Sequence, residues 1–190
     1  MTRRSGQIAT RGAGHIRARA AGRAAARLAD TGTHWHAAAM PVLSMDTQFG
    51  RVSLVETDGA ITRLGWNLRA DEDETVLLRE AARQMAAYDA GELEEFDLPL
   101  HVKGSDFQRA VCDAMRAIPF GHTRTYGEIA KDLGHPAQAV GQACGANPIA
   151  IIIPCHRVMG AKGLTGFSAP GGVETKVALL RHEKAGGFLI

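Results

Sequence analysis

Thr125-Tyr126-Gly127-Glu128-Ile129-Ala130-Lys131-Asp132-Leu133-Gly134-His135-Pro136-Ala137-Gln138-Ala139-Val140-Gly141 is the stretch that decides how the second half of this chain folds. Thr125 with Glu128 three residues later is a capping box, in which each side chain satisfies the other residue's backbone N–H, so a helix starts here. Gly134 ends it, because glycine enters the left-handed conformation that closes a helix without a Cβ clash. Pro136 can open a further helix, predicted to run to about Gly145. Two short helices joined by a glycine turn have the form of a helix-turn-helix, and the same pattern also occurs in plain helical pairs.

Outward from that pair, Ser105 reads as the N-cap of an earlier helix with Phe107, Val111, Met115 and Ile118 on one face and Pro119 at its end. On the other side Asn147-Pro148 breaks the helix. Ile149-Ala150-Ile151-Ile152-Ile153, rich in β-branched residues, predicts a short buried strand that carries Pro154-Cys155-His156-Arg157 at its end. A glycine-rich loop over 160–172 follows. The closing amphipathic helix, over 174–183, has Val177, Leu179 and Leu180 as its apolar positions.

The first half has a different character. Residues 51–55 and 60–64 read as two strands joined by the turn signal Asp58-Gly59. A helix is expected over 72–90 with Val76, Leu77, Ala81, Met85 and Tyr88 on one face and Gly91 as its stop. Acidic residues 92–97 then lead through Pro99 to a boundary at 101–104. Residues 1–40 are mostly Arg, Ala and Gly, too poor in large apolar side chains to offset the entropy of ordering. They read as a tail, or as sequence upstream of a start at Met40 or Met45. The expected organisation is a basic extension over 1–44, a small α/β domain over 45–100, and a mainly helical domain containing the helix-turn-helix over 101–190. The fold class is α/β (α+β).

With 45% of 190 residues hydrophobic and 22% charged, the chain can bury a core. The apolar run 149–154 is far shorter than the roughly 20 residues of a membrane span, so no membrane is expected. Three cysteines, Cys112, Cys144 and Cys155, with no CxxC pair, point to a reducing compartment, the cytoplasm, and away from both a disulfide framework and a structural zinc site. The arginine-rich opening has no continuous apolar stretch of the kind a secretory signal needs. The net charge of +2 divides into +6 over 1–40, −8 over 41–100 and +4 over 101–190. A basic C-terminal block beside an acidic one suits a polyanion on one part of the molecule, or simply a solvated surface.

Cys155 is the candidate nucleophile. A thiol becomes a good nucleophile only when something generates or stabilises the thiolate. His156 is the obvious base, but in an extended segment neighbouring side chains point to opposite faces, so a turn or a bridging water is needed. Glu183 at the end of the last helix is placed to orient the imidazole. The competing reading, a small buried hydrophobe at the end of an apolar segment, is adopted for Cys112 and Cys144.

The stretch from Phe107 to Glu183 resembles the C-terminal domain of the O6-alkylguanine-DNA alkyltransferases, also called methylated-DNA–protein-cysteine methyltransferases. The matching pieces are Phe107-Gln108, Ile118-Pro119-Phe120-Gly121, residues 125–130, Ala139-Val140-Gly141, Asn147-Pro148, Ile153-Pro154-Cys155-His156-Arg157-Val158, Gly166-Phe167, Lys176, and Leu179-Leu180 followed by Glu183. Residues 45–99 are similar in pattern to the family's variable N-terminal domain, through weaker motifs. The resemblance implies irreversible, single-turnover transfer of a methyl or other alkyl group from O6-alkylguanine in double-stranded DNA to Cys155, and leaves open whether O4-alkylthymine is also accepted. It implies no cofactor and a monomer. His156 would act through water as the base, Glu183 would orient it, and Asn147 would brace the hinge before the active-site segment. Asn147 also reads as a plain helix C-cap. Tyr126, Gln138, Ala139, Gly141, Arg157, Val158, Phe167 and Ser168 would contact DNA or line the pocket of a base flipped out of the duplex, since a stacked base hides its O6 substituent from a cysteine.

One departure stands out. The segment Gly134-His135-Pro136-Ala137-Gln138-Ala139-Val140 is about two residues shorter than the family's usual form, and Gln138 stands where an arginine that enters the base stack is common. Weaker DNA affinity or slower flipping is expected, with the basic tail as a source of salt-dependent compensation. Three other readings remain: a lesion-binding protein without transfer, set against the presence of Cys155; a DNA-binding regulator, for which no further domain is visible; and a thiol hydrolase, which would turn over where an acceptor stops after one equivalent.

Overall fold

Asp58 and Gly59 turn the first half of the chain back on itself, both at positive φ (51° and 75°), the backbone conformation of a tight hairpin turn. They join strand β2 (Gly50–Thr57) to β3 (Ala60–Trp66). A strand unread in the sequence, β1 (Val42–Thr47), pairs antiparallel with β2 and completes a three-stranded sheet in the order β1-β2-β3. Residues 42–44, assigned to the extension, therefore belong to a strand. The structure is a computed structural model that describes residues 40–66, 68 and 73–185. The expectation of a tail over 1–40 lies outside the described residues but for Met40.

Helix α1 (Val76–Asp89) starts later than the predicted position 72, which lies outside the described residues. Thr75 caps it by accepting from Leu78 N. The buried face carries Leu78, Ala81, Gln84, Met85 and Tyr88, whereas Val76 is exposed and Leu77 half-buried. After Gly91 (φ 74°) the chain runs back along β3, where Leu100 bridges Ile61.

Helix α2 (Asp106–Arg116) is capped by Ser105 as predicted. The capping box forms at α3 (Tyr126–Leu133), Gly134 adopts the left-handed conformation (φ 67°), and α4 (Ala137–Gly145) follows directly after Pro136. The pair α3–α4 is the helix-turn-helix of the sequence reading. Two short parallel strands, β4 (Arg124–Thr125) and β5 (Val158–Met159), fasten the start of α3 to the segment after Cys155. Helix α5 (Val173–His182) closes the described chain. The fold is mixed α and β, as expected.

The predicted strand over 149–153 does not form. Its residues bend into a turn, with Ile152 N donating to Ala150 O (2.9 Å) and Ile153 N to Ile149 O (2.9 Å), and Ile151 sits at φ 69°. A β-branched residue in that region costs of order 1–3 kcal/mol. The run is apolar because Ile149, Ile151, Ile152 and Ile153 are buried, not because they form a ladder. Asn147 holds the turn from both sides, donating to Ile153 O (2.7 Å) and accepting from Ile149 N (3.1 Å).

The described residues pack as one unit, and a single core runs from Val52, Leu54 and Leu78 through Met115 and Ile129 to Ile153 and Leu179. Leu64 is a junction: its backbone N–H donates to Pro148 O (2.9 Å), its residue bridges Ile149, and its side chain is 2% exposed. Leu64→Ala is expected to cost about 2–5 kcal/mol. In urea titrations followed by amide exchange, the loss should be read alike by amides of β2 and of α2, as one cooperative unit requires.

Candidate active site

The residue before Cys155 is Pro154, and the chain then closes a single 3-10 turn over Cys155–Arg157. This turn solves the problem posed by adjacent residues in an extended segment. Cys155 is partly exposed where it borders a cavity of about 750 Å³. His156 is fully buried. Its Nε2 lies 2.7 Å from Glu183 Oε1, so the ring proton sits on Nε2 and donates to the carboxylate, an assignment made from the hydrogen-bond network. Nδ1 is buried without a hydrogen-bond partner and carries the free lone pair.

Glu183, at the C-terminal cap of α5, is the hub of the site. Besides His156 it accepts from Arg157 Nε (2.8 Å) and Nη2 (3.0 Å) and from the Tyr88 hydroxyl (2.7 Å). Burial alone would raise its pKa; hydrogen bonds and charge from His156 and Arg157 outweigh that and hold the carboxyl at about 2. His156 is pushed below its ordinary value by burial, which the Glu183 carboxylate opposes, so the ring is a neutral base at neutral pH. Burial pushes the Cys155 thiol up, against hydrogen bonding from Asn147 and the charge of Lys176. The resting sulfur is therefore a thiol, and its activation depends on proton removal.

Lys176, fully buried, donates from Nζ to Val158 O (2.6 Å) and fixes the carbonyl just beyond the 3-10 turn. Burial lowers its pKa. The Tyr126 hydroxyl lies 3.1 Å from Thr165 Oγ1 and ties α3 to the glycine-rich loop. Ser168 Oγ donates to Gly145 O (3.3 Å), and the Phe167 ring stands edge-on to Trp66 with centroids 6.2 Å apart.

The chain is similar in sequence and fold to known proteins. Residues 106–185 match the family model described as 6-O-methylguanine DNA methyltransferase, DNA binding domain. A methylated-DNA–protein-cysteine methyltransferase of Mycolicibacterium paratuberculosis is 44% identical over 158 residues, which cover 74% of this chain and 90% of the relative. The chain belongs to the methylated-DNA–protein-cysteine methyltransferase family. A family member from Methanosarcina acetivorans is 55% identical over 108 residues, 55% of this chain and 68% of its own. Among solved structures, the O6-methylguanine methyltransferase of Mycobacterium tuberculosis matches with TM-score 0.69 and 42% identity, covering 76% of this chain and 93% of that one. The same organism's OGT in complex with DNA matches with TM-score 0.68 and 43% identity, covering 78% and 96%.

Within this methyltransferase fold, Cys155, Asn147, Phe167 and Ser168 line the same cavity, and His156, next to Cys155 in the chain, is buried against Glu183. Val158 is buried in β5. Gln138 is exposed on the first turn of α4, with Ala139 and Gly141 half-buried on the same helix and Tyr126 half-buried on α3. Arg157 departs from expectation. Named as a DNA contact, it is 6% exposed, and its guanidinium is spent on Glu183 and on Ile118 O (2.6 Å), inside the protein. A positive charge pairs more strongly with a buried carboxylate than with solvated phosphate.

Three features escaped the sequence reading. Tyr88 was assigned only to the apolar face of a helix, 95 residues from the carboxylate it reaches. Lys176 carried a signal, since it lies two helical turns before Glu183 on the buried face of α5, where a charge needs a reason. Cys144 is buried in α4 as expected, yet it lines the Cys155 cavity, and burial raises its thiol to about 12, so it stays protonated beside the candidate nucleophile.

Acid should destabilise the fold in two stages. The lowered His156 pKa means that the unfolded chain binds that proton first, so its contribution is whole above the ordinary 6.5 and declines below it. The contribution of Glu183 is whole above 4.5 and is lost as pH falls from there towards about 2. Urea melts followed by circular dichroism at stepped pH should show both. Glu183→Gln should remove the lower stage and cost about 3–5 kcal/mol at neutral pH, because Arg157 is left buried without its carboxylate.

Proposed function

We propose that this chain is a DNA repair protein that takes a methyl or larger alkyl group from the O6 of guanine in double-stranded DNA irreversibly onto Cys155, once per molecule. The observation that carries the reading is the buried Glu183–His156 pair, whose unengaged Nδ1 belongs to the residue next to a cavity-lining cysteine. The proton of the Cys155 thiol passes to His156 Nδ1, through a water, and Glu183 stabilises the imidazolium that forms. The thiolate then attacks the alkyl carbon, a C–S bond forms as the C–O6 bond breaks, and guanine leaves with the electron pair of that bond and takes up a proton. The thioether is stable, so the protein stops after one equivalent.

Roles for the remaining residues follow from this reading. Asn147 holds the turn that leads into Pro154-Cys155. Phe167, Ser168 and the backbone at Val158 border the flipped base, whose extrusion costs a few kcal/mol. Tyr126, Ala139 and Gly141 form the surface along which the nucleotide rotates, and Gln138 fills the space it leaves. DNA binding is supported by the DNA complex solved for the Mycobacterium tuberculosis relative. No helix among the described residues is long and apolar enough to cross a membrane. We place the protein in the cytoplasm as a monomer, divided functionally into an extension that ends before β1, a supporting domain from Val42 to about residue 100 and a DNA-binding acceptor domain over 101–190.

The deciding experiment is intact-protein mass spectrometry after mixing wild type and Cys155→Ser with excess duplex carrying one O6-methylguanine. The expected result is a gain of about one methylene mass, localised to Cys155 and absent from the variant. Binding without a mass gain would replace repair by lesion recognition. At matched salt, Gln138→Arg is expected to tighten duplex binding or speed transfer, and to steepen the salt dependence by about one phosphate contact.

A further inference from the structure

Glu183 Oε1 is shared. It accepts from His156 Nε2 (2.7 Å), from the Tyr88 hydroxyl (2.7 Å) and from Arg157 Nη2 (3.0 Å), while Oε2 takes Arg157 Nε (2.8 Å). Tyr88 comes from α1, in the half of the chain to which no chemistry has been given. It is fully buried, and its ring is seated between Phe96 (centroids 5.4 Å apart) and His182 (5.0 Å) with Phe49 and Phe120 beyond. The backbone around it is fastened as well. His182 Nε2 lies 2.7 Å from Tyr88 O, Gln48 Nε2 lies 3.3 Å from His182 Nδ1, and Gln48 binds Asp89 through N–H to Oδ1 (3.1 Å) and through Nε2 to the backbone carbonyl (2.8 Å). With the His182 proton on Nε2, all of these bonds are satisfied at once. The last turn of α1 is thus bolted to the last turn of α5.

We propose that Tyr88 is a positioning residue for the alkyl transfer: its hydroxyl fixes the Glu183 oxygen that His156 uses and draws negative charge from it, which sets how strongly that oxygen holds the imidazole proton. The inference rests on the transfer reading of Cys155. Two donors on one carboxylate oxygen compete for the same charge, so removing one strengthens the bond to the other. Burial, and the charge of Glu183, push the tyrosine pKa up, so the hydroxyl stays a donor at every working pH. The other groups bearing on the pair are Arg157 and Cys155 on the 3-10 turn, Lys176 and His182 on α5, and Asp89 beside Tyr88. Lys176 is held by Val158 O and Asp89 by Gln48. Of these groups only Arg157 shares Oε1 with Tyr88, so its Nη2 bond should tighten together with that of His156 when the Tyr88 oxygen is deleted.

The test is Tyr88→Phe, which keeps the ring among its aromatic neighbours and removes only the donor. Single-turnover transfer from an O6-methylguanine duplex to Cys155 is followed by mass spectrometry across pH. In the variant His156 becomes more basic, so the acid limb of the rate profile should move up by about half a pH unit, or about threefold slower transfer on the acid side. The alkaline plateau should stay. A wild-type profile, a limb that moves down, or a uniform slowing at every pH with the limb unmoved overturns the inference, the last because it marks packing alone. In a Glu183→Gln background the same substitution should leave the limb where it is; a shift there also overturns it. A second readout needs no activity: the His156 Nε2–H proton resonance of the resting protein should move downfield in Tyr88→Phe, and an unmoved resonance counts against the proposal. Wild type that reacts while the variant's limb stays put removes Tyr88 alone, whereas wild type that takes no alkyl group removes the transfer reading with it.

Discussion

A carboxylate taken out of water has to be paid for in hydrogen bonds, and Glu183 receives four, from three residues on two other segments of the chain. Much of the architecture is explained by that requirement. Helix α5 has to end where the 3-10 turn begins, so that His156 and Arg157 can reach its cap. Helix α1 has to cross the same place, so that Tyr88 can. Removing any one of these partners leaves the others facing a buried charge with less compensation.

The turn that precedes Cys155 belongs to the same design. Ile151 is held at a positive φ that a β-branched residue resists, and Asn147 pins both ends of the turn. A strained turn clamped by one amide side chain sets the direction in which Pro154 leaves, and so directs Cys155 to the cavity and His156 to the interior. Cys155 borders the cavity, while His156 is buried against the carboxylate. The first half of the chain contributes to both, through Leu64 against the start of the turn and through Tyr88 against the carboxylate.

Short-range chemistry was legible in the sequence. The Thr125–Glu128 capping box, the Ser105 cap, the Asp58-Gly59 turn and the Gly134 stop each depend on residues within a few positions of one another, and each is found where it was read. The contact of His156 with Glu183 was also legible, because the Pro-Cys-His-Arg-Val motif narrows the chemistry. Other features were not. The strand read over 149–153 failed because β-branched composition reports burial as readily as a ladder: after the single bridge from Ile149 to Leu64 of β3 the segment turns back on itself. Strand β1 was missed because Val42–Thr47 shows its partner only once β2 is in place. Arg157 was named among the residues that contact DNA or line the pocket through the resemblance, which says nothing of the buried partner it meets.

The sequence by itself determined the local starts and stops, the helix-turn-helix, the candidate nucleophile with its base, and the family, since these follow from spacings of a few residues and from one dense motif. Only the tertiary structure decided which oxygen His156 leans on, that Arg157 turns inward, that Lys176 holds the Val158 carbonyl, and that Tyr88 completes the carboxylate's shell from the far half of the chain. The physical reason is the range of the interactions. Caps and turns close within a few bonds of backbone, whereas a buried charge draws its partners from whatever segments the core brings within hydrogen-bonding distance, and no spacing along the chain records that meeting.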